Sequence, residues 1–263
     1  MKPLEVLSRE EARGIDGVLF DLDDTFLTRG VLTRTVYDAL WELHEAHVRL
    51  VVVTGRSAAW GAVLVTQWPI DAATAENGAM VIVRDGRKVS QVDRCSAAER
   101  ATRRGKLGAL VKEVAERAPD VKLTDDAMGR VTDVTWDIGE NEHVALARVA
   151  FVRSIIASHG ARSSCSSVHL HATFETDDKA TGTVRLLTSR FGVDTSAART
   201  RWAFVGDSGN DRACFAGFST TFGVANVRES LTSLSVPPRY VAQGSMGTGF
   251  AEIAHTLLRC RMG

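Results

Sequence analysis

Residues Gly17 to Thr28 read GVLFDLDDTFLT, an apolar run that stops abruptly at three carboxylates. Val18, Leu19 and Phe20 form the short continuous apolar segment of a strand buried on both faces, as in a parallel sheet with helices on either side. Asp21, Asp23 and Asp24 follow at its C-terminal end, where open α/β sheets bind their ligands. In a regular strand Asp21 and Asp23 share a face, and two carboxylates so close repel unless something offsets their charge. A hard cation does so. Mg2+ suits the position because it takes one or two carboxylates, keeps several waters and accepts a phosphate oxygen.

Outward from this stretch the same pattern recurs. An amphipathic helix is predicted over Thr33 to Val48, with Val36, Leu40, Leu43 and Ala46 towards the sheet. RLVVVTGR then gives a second buried strand ending in Thr54, Gly55 and Arg56. A helix from Ser57 through Trp68 and a strand over Ala72 to Met80 follow, with Glu76, Asn77 and Gly78 at its turn. MVIVRDGRKVSQV reads as a hairpin about Asp85-Gly86. Near the C-terminus, Lys179 to Phe191 is a helix closed by Gly192, and Trp202 to Val205 a strand reaching Asp207. A helix over Asp211 to Phe218, a strand over Thr220 to Val224 and a last helix over Gly249 to Arg259 complete the chain. Strands alternating with helices in this way give the α/β class and a Rossmann-like parallel sheet.

Composition narrows the function. With 32 basic and 32 acidic side chains in 263 residues the formal net charge is zero, which argues against a nucleic-acid or membrane-surface partner. The four cysteines, Cys95, Cys165, Cys214 and Cys260, have no metal-ligand spacing, so a reduced, cytoplasmic setting is expected. The N-terminal MKPLEVLSREEARG lacks the apolar core of a signal peptide, and no run approaches a membrane span.

DLDDT resembles the DxDxT signature of the haloacid dehalogenase superfamily, mostly phosphatases that pass through an aspartyl-phosphate. Three further segments resemble that family's motifs in order: VVVTGR (Val51 to Arg56), Lys179 in DDKATG, and FVGDSGND (Phe204 to Asp211). The resemblance implies catalytic roles for Asp21, Asp23, Thr54 and Lys179. Asp21 would be the nucleophile and Asp23 the general acid and base. Thr54 would bond the transferring phosphoryl group, and Lys179 would screen its charge. Asp21, Asp23, Asp207 and Asp211 would hold Mg2+. Arg56, Glu76, Asn77 and Asn210, near the ends of the predicted strands, are expected around the substrate, although turn and capping roles suit Arg56, Glu76 and Asn77 as well.

ENGA resembles a segment of the superfamily's subclass with a large α/β cap inserted between the second and third motifs. The gap of about one hundred residues that follows carries no catalytic motif and is domain-sized. The expected division is therefore residues 1–85 core, 86–173 inserted α/β cap and 174–263 core. Within the cap, helices over Ala97 to Ala118 and Glu142 to His159 and strands over Arg130 to Asp137 and Ser166 to Phe174 suggest helices on one face of a small sheet. Alternation puts Asp133, Thr135 and Asp137 on the face opposite Val134 and Trp136. It puts Ser167, His169, His171 and Thr173 opposite Val168, Leu170, Ala172 and Phe174. If the helices cover the apolar face, the polar one is a free platform, with Asp133, His169 and His171 as candidate substrate contacts and zinc binding as the alternative.

These readings imply a Mg2+-dependent phosphatase acting on a small phosphorylated sugar, polyol or glycoside, as a monomer or homodimer. A phosphomutase of the same superfamily and a non-catalytic sugar-phosphate-binding protein are the alternatives.

Overall fold

In a computed structural model of the chain, residues 1–166 and 168–262 are described; Ser167, predicted on the polar face of the cap, lies outside them. The strands are β1 (Lys2–Pro3), β2 (Gly17–Phe20), β3 (Arg49–Val53), β4 (Ala72–Ala75), β5 (Met80–Asp85), β6 (Lys88–Asp93), β7 (Asp133–Asp137), β8 (Arg162–Cys165), β9 (His169–Thr173), β10 (Trp202–Gly206), β11 (Thr220–Gly223) and β12 (Tyr240–Val241). The helices are α1 (Arg9–Arg13), α2 (Arg34–Glu45), α3 (Ala58–Gln67), α4 (Ala97–Arg117), α5 (Leu146–Ser158), α6 (Lys179–Phe191), α7 (Thr195–Thr200), α8 (Arg212–Gly217) and α9 (Met246–Met262).

Nine strands form one sheet in the order β1-β12-β11-β10-β2-β3-β4-β5-β6. It is parallel from β1 to β4 and antiparallel at β4–β5 and β5–β6. One face is packed by α1, α2, α3 and α9 through Val36, Leu40, Leu64 and Phe250. The other is packed by α6, α7 and α8 through Leu186, Ala198 and Phe215. Covering both faces is why β2, β3 and β10 are apolar without alternation. The central strands β10, β2 and β3 end together, which sets the residues after them side by side.

A second sheet, β7-β9-β8, is antiparallel. Trp136, Leu170 and Ala172 face Leu110, Val114, Val152 and Ile156 of α4 and α5. The predicted layering of helices on one face of a small sheet is present, with β8 as a third strand that its polar sequence RSSC gave no sign of. The expected boundary at residue 86 falls inside the β5–β6 hairpin, because Lys88–Asp93 pairs with the large sheet. The hairpin turn also shifts by one residue: Asp85 pairs with Lys88 and Gly86, at φ +59°, opens the turn.

Several predicted helix ends move for local reasons. α2 stops at Glu45 because His47 adopts φ +58°. α5 starts only at Leu146, after the Asp137 carboxylate has taken the backbone N–H groups of Gly139, Glu140 and Asn141. α6 starts where predicted, with Asp178 and Thr181 forming a reciprocal cap. No helix among the described residues is long and apolar enough to cross a membrane.

Candidate active site

Asp21 follows β2 and Asp207 follows β10; the register pairs Phe20 with Val205, so the two acids leave adjacent strand ends. Lys179, at the first position of α6 and 1 % exposed, completes the centre. Its Nζ lies 2.8 Å from Asp21 Oδ1 and 2.8 Å from Asp211 Oδ1. The other oxygen of Asp211 accepts the backbone N–H groups of Asp207 (2.9 Å) and Ser208 (3.3 Å). Asp207 accepts from Thr25 Oγ1 at 3.1 Å and from Asn226 Nδ2 at 3.0 Å. Gly206 is required here, since a Cβ would lie 2.4 Å from Asp211 Oδ2.

Carboxylate oxygens of Asp21, Asp207 and Asp211 lie within 4.8 Å of one another. Three buried carboxylates face one ammonium, an imbalance of two negative charges if all ionise. Burial accordingly pushes the Asp21 carboxyl up to about 7, despite Lys179, with Asp211 adding to the rise. Burial and the neighbouring Asp211 and Asp21 carboxylates likewise hold Asp207 well above the usual range. A divalent cation among hard oxygen ligands removes the imbalance, so the donor set fits Mg2+. Asp23, the fourth expected metal ligand, directs its carboxylate elsewhere.

The Arg56 guanidinium binds Asp23 with Nε at 2.9 Å and Nη2 at 2.8 Å, and Nη2 also reaches Glu140 Oε1 at 2.6 Å. Glu140, in the loop after β7, uses its other oxygen to accept from His169 Nε2 at 2.7 Å. The His169 hydrogen bond and then Arg56 pull the Glu140 carboxyl down to about 2, against burial. Arg56 and His169, both expected at the substrate, thus meet each other through Glu140. Thr54 is fully buried, and its hydroxyl accepts the backbone N–H of Arg56 at 3.0 Å.

The platform of the small sheet is not free. Asp133, Asp137, His169 and His171 are all buried, because this face lies against the C-terminal edge of the large sheet. Asp133 accepts from Arg130 at 3.0 and 3.2 Å and from His171 Nδ1 at 3.1 Å. With Arg130 and backbone amides filling the carboxylates, no zinc set forms among the described residues. Glu76, expected to touch substrate, is used internally. Its carboxylate accepts the backbone N–H groups of Ala58, Val131 and Thr132 and the Thr132 hydroxyl, and so ties the two sheets together. Glu76, Asn77, Asp133 and Asn210 all line a cleft of about 580 Å3 beside Lys179 and Asp207. Asp21, Asp23, Gly55, His169, His171 and Asn210 line a separate small cavity, with room for about one water.

Thr25, Asn226, Arg130 and Glu140 were not singled out in the sequence. Thr25 alone had a signal there, as the last residue of DLDDT; the others reach the site only through the tertiary fold.

Residues 18–99 match the family model of the haloacid dehalogenase-like hydrolases, and Asp21, Lys179, Asp207 and Asp211, from three of the four motifs, converge on one centre. Over that segment the chain resembles the haloacid dehalogenase-like hydrolases. Solved structures share the fold of this chain at low identity. A protein of Thermoplasma acidophilum is 17% identical with a TM-score of 0.72, covering 93% of this chain and 98% of its own. The sucrose-phosphatase of Synechocystis, solved with sucrose and phosphate, is 17% identical with a TM-score of 0.63, covering 92% and 98%. The C-terminal domain of a C. albicans trehalose-6-phosphate phosphatase is 12% identical with a TM-score of 0.68, covering 100% and 98%. No curated protein matches the sequence.

Proposed function

We propose that this protein is a Mg2+-dependent phosphatase of small phosphorylated sugars, polyols or glycosides, working in the cytoplasm. The observation that carries the reading is Asp21, held by the doubly bonded Lys179 within reach of Asp207 and Asp211, with Asp23 two residues on and Thr54 just past the end of the neighbouring strand β3. Asp21 attacks phosphorus while the ester P–O bond breaks, and Asp23 gives its proton to the departing oxygen. Water then attacks the aspartyl-phosphate, Asp23 takes the proton from that water, and phosphate leaves as the Asp21–phosphorus bond breaks. Lys179 and the Thr54 hydroxyl stabilise the charge on the transferring group. Asp21, Asp207 and Asp211 would hold Mg2+, which would supply charge neutralisation at the phosphoryl oxygens.

The unit built on the small sheet serves in this reading as a cap over the leaving group, excluding bulk water when it docks. The substrate class rests on the polar lining of that face and on the likeness to a sucrose-phosphatase and a trehalose-6-phosphate phosphatase. The test is phosphate release from a panel of sugar, polyol, glycoside and nucleotide phosphates with Mg2+, beside Asp21→Asn. Turnover lost in the variant supports the reading. Equal turnover by the variant removes Asp21 as nucleophile, and isomerised sugar phosphate without phosphate release would favour a mutase.

A further inference from the structure

The two buried histidines of β9 differ in one respect: His169 is bonded to Glu140, whereas Nε2 of His171 has no hydrogen-bond partner and is fully buried. Its other nitrogen is fixed. Nδ1 lies 3.1 Å from Asp133 Oδ2 and 3.0 Å from the Thr135 hydroxyl. Burial pushes the Asp133 carboxyl up, but Arg130 and then His171 pull it below the usual range, so it stays ionised and can only accept. The proton between the two residues therefore sits on Nδ1 of the imidazole. Burial lowers the His171 pKa and keeps the ring neutral, which leaves Nε2 with a bare lone pair. Turning the ring over would point a C–H at Asp133 and break both bonds.

That lone pair opens on the small cavity that also contains Asp21 and Asp23. Glycine at residue 55 leaves room for the ring edge beside the loop after β3; a Cβ there would stand 3.2 Å from Nε2 and from Cε1. Ser166, Ser208 and Asn210 line the same cavity but none of them bonds Nε2, so this acceptor next to the reacting carboxylates is matched by a donor on the ligand.

We propose that Nε2 of His171 accepts a hydrogen bond from a hydroxyl of the leaving group close to the ester oxygen, so that the site selects phosphate monoesters of polyols and rejects groups that can only accept. This rests on the phosphatase reading above and adds what the cap recognises. Fluorine, an ether oxygen or a carboxylate at that position leaves two acceptors facing each other, and an alkyl group leaves Nε2 unpaired.

The experiment compares kcat/KM, with Mg2+, for 2- and 3-hydroxypropyl phosphate, the corresponding fluoropropyl phosphates and propyl phosphate, with p-nitrophenyl phosphate as a reporter of the chemistry. The parent should prefer one of the hydroxypropyl esters over its fluoro and alkyl analogues by about tenfold or more, and the ratio should fall to about one in His171→Phe. If no ester including p-nitrophenyl phosphate is hydrolysed, the phosphatase reading fails. If p-nitrophenyl phosphate is hydrolysed but hydroxyl is not preferred to fluorine, or His171→Phe keeps the preference, the inference fails while the phosphatase reading stands. Should that variant not fold, 15N NMR of histidine-labelled parent protein decides. The Nδ1–H tautomer at His171 is expected, and the Nε2–H tautomer overturns the proposal.

Discussion

At Lys179 one side chain answers two carboxylates, and no other cation bonds either Asp21 or Asp211 among the described contacts. Burial works against the charged ammonium, yet Asp21 and Asp211 raise its pKa, so it stays charged throughout the working range. Lys179→Met should therefore lower kcat by about 10²–10³, measured by phosphate release; a change below about threefold would remove it from the mechanism. The acids make a second expectation. Asp21 rises from 3.8 to about 7 in the metal-free protein, and Asp207 moves the same way. A group whose pKa is raised on folding contributes stability at low pH that is lost as the pH climbs through the folded value. Mg2+ binds the ionised carboxylates, so it should raise the melting temperature more at about pH 7.5 than at about pH 5. An equal rise at both pH values would place the metal elsewhere. The motif acids and Lys179 were legible because each lies in a short local pattern. Glu140 was not, since its partners Arg56 and His169 reach it only across the docked sheets.

At the scale of elements, the position of Lys179 depends on how α6 meets the turn after β4. Gly78 and Gly182 allow backbone to touch backbone there: a Cβ on Gly182 would lie 2.1 Å from the Gly78 carbonyl oxygen, and one on Gly78, at φ +92°, 2.3 Å from that of Asp178. Gly182→Ala should cost about 1–3 kcal/mol and also lower kcat, because the first turn of α6 must shift with its lysine. Gly105→Ala, in open space on α4, should instead be neutral or gain about 0.5–1 kcal/mol. Urea unfolding of both variants checks the contrast, and equal effects would contradict it. The strands of the large sheet were readable from their continuous apolar runs. β8 was not, because a short polar edge strand carries no periodic signal. Glu76 reads as a site residue beside a strand end, but burial with four donors makes it a joint between sheets.

Across the whole molecule, the small sheet docks by its polar face through the Glu76 carboxylate to Val131 and Thr132, Arg56 to Glu140, Arg130 Nη1 to the Gly55 carbonyl at 3.0 Å, and the Ser57 N–H to Asp126 at 3.1 Å. Alternation predicted which residues share that face but not that the face is covered, since no local pattern says what a surface packs against. The small cavity has room for about one water, so in the proposed mechanism the small-sheet unit moves before a leaving group occupies that space. Glu140→Gln weakens one link and should raise KM for polyol phosphates about tenfold while changing kcat less; an unchanged KM would mean that this contact does not contribute to closure.

The central claim is that Asp21 carries the phosphoryl group. Rapid acid quench of the parent with 32P-labelled substrate, followed by peptide mapping, addresses it directly. The expected result is hydroxylamine-labile label on the peptide containing Asp21, absent from Asp21→Asn. Phosphate release by the parent with no labelled protein at any time, or label on a different residue, would contradict the account.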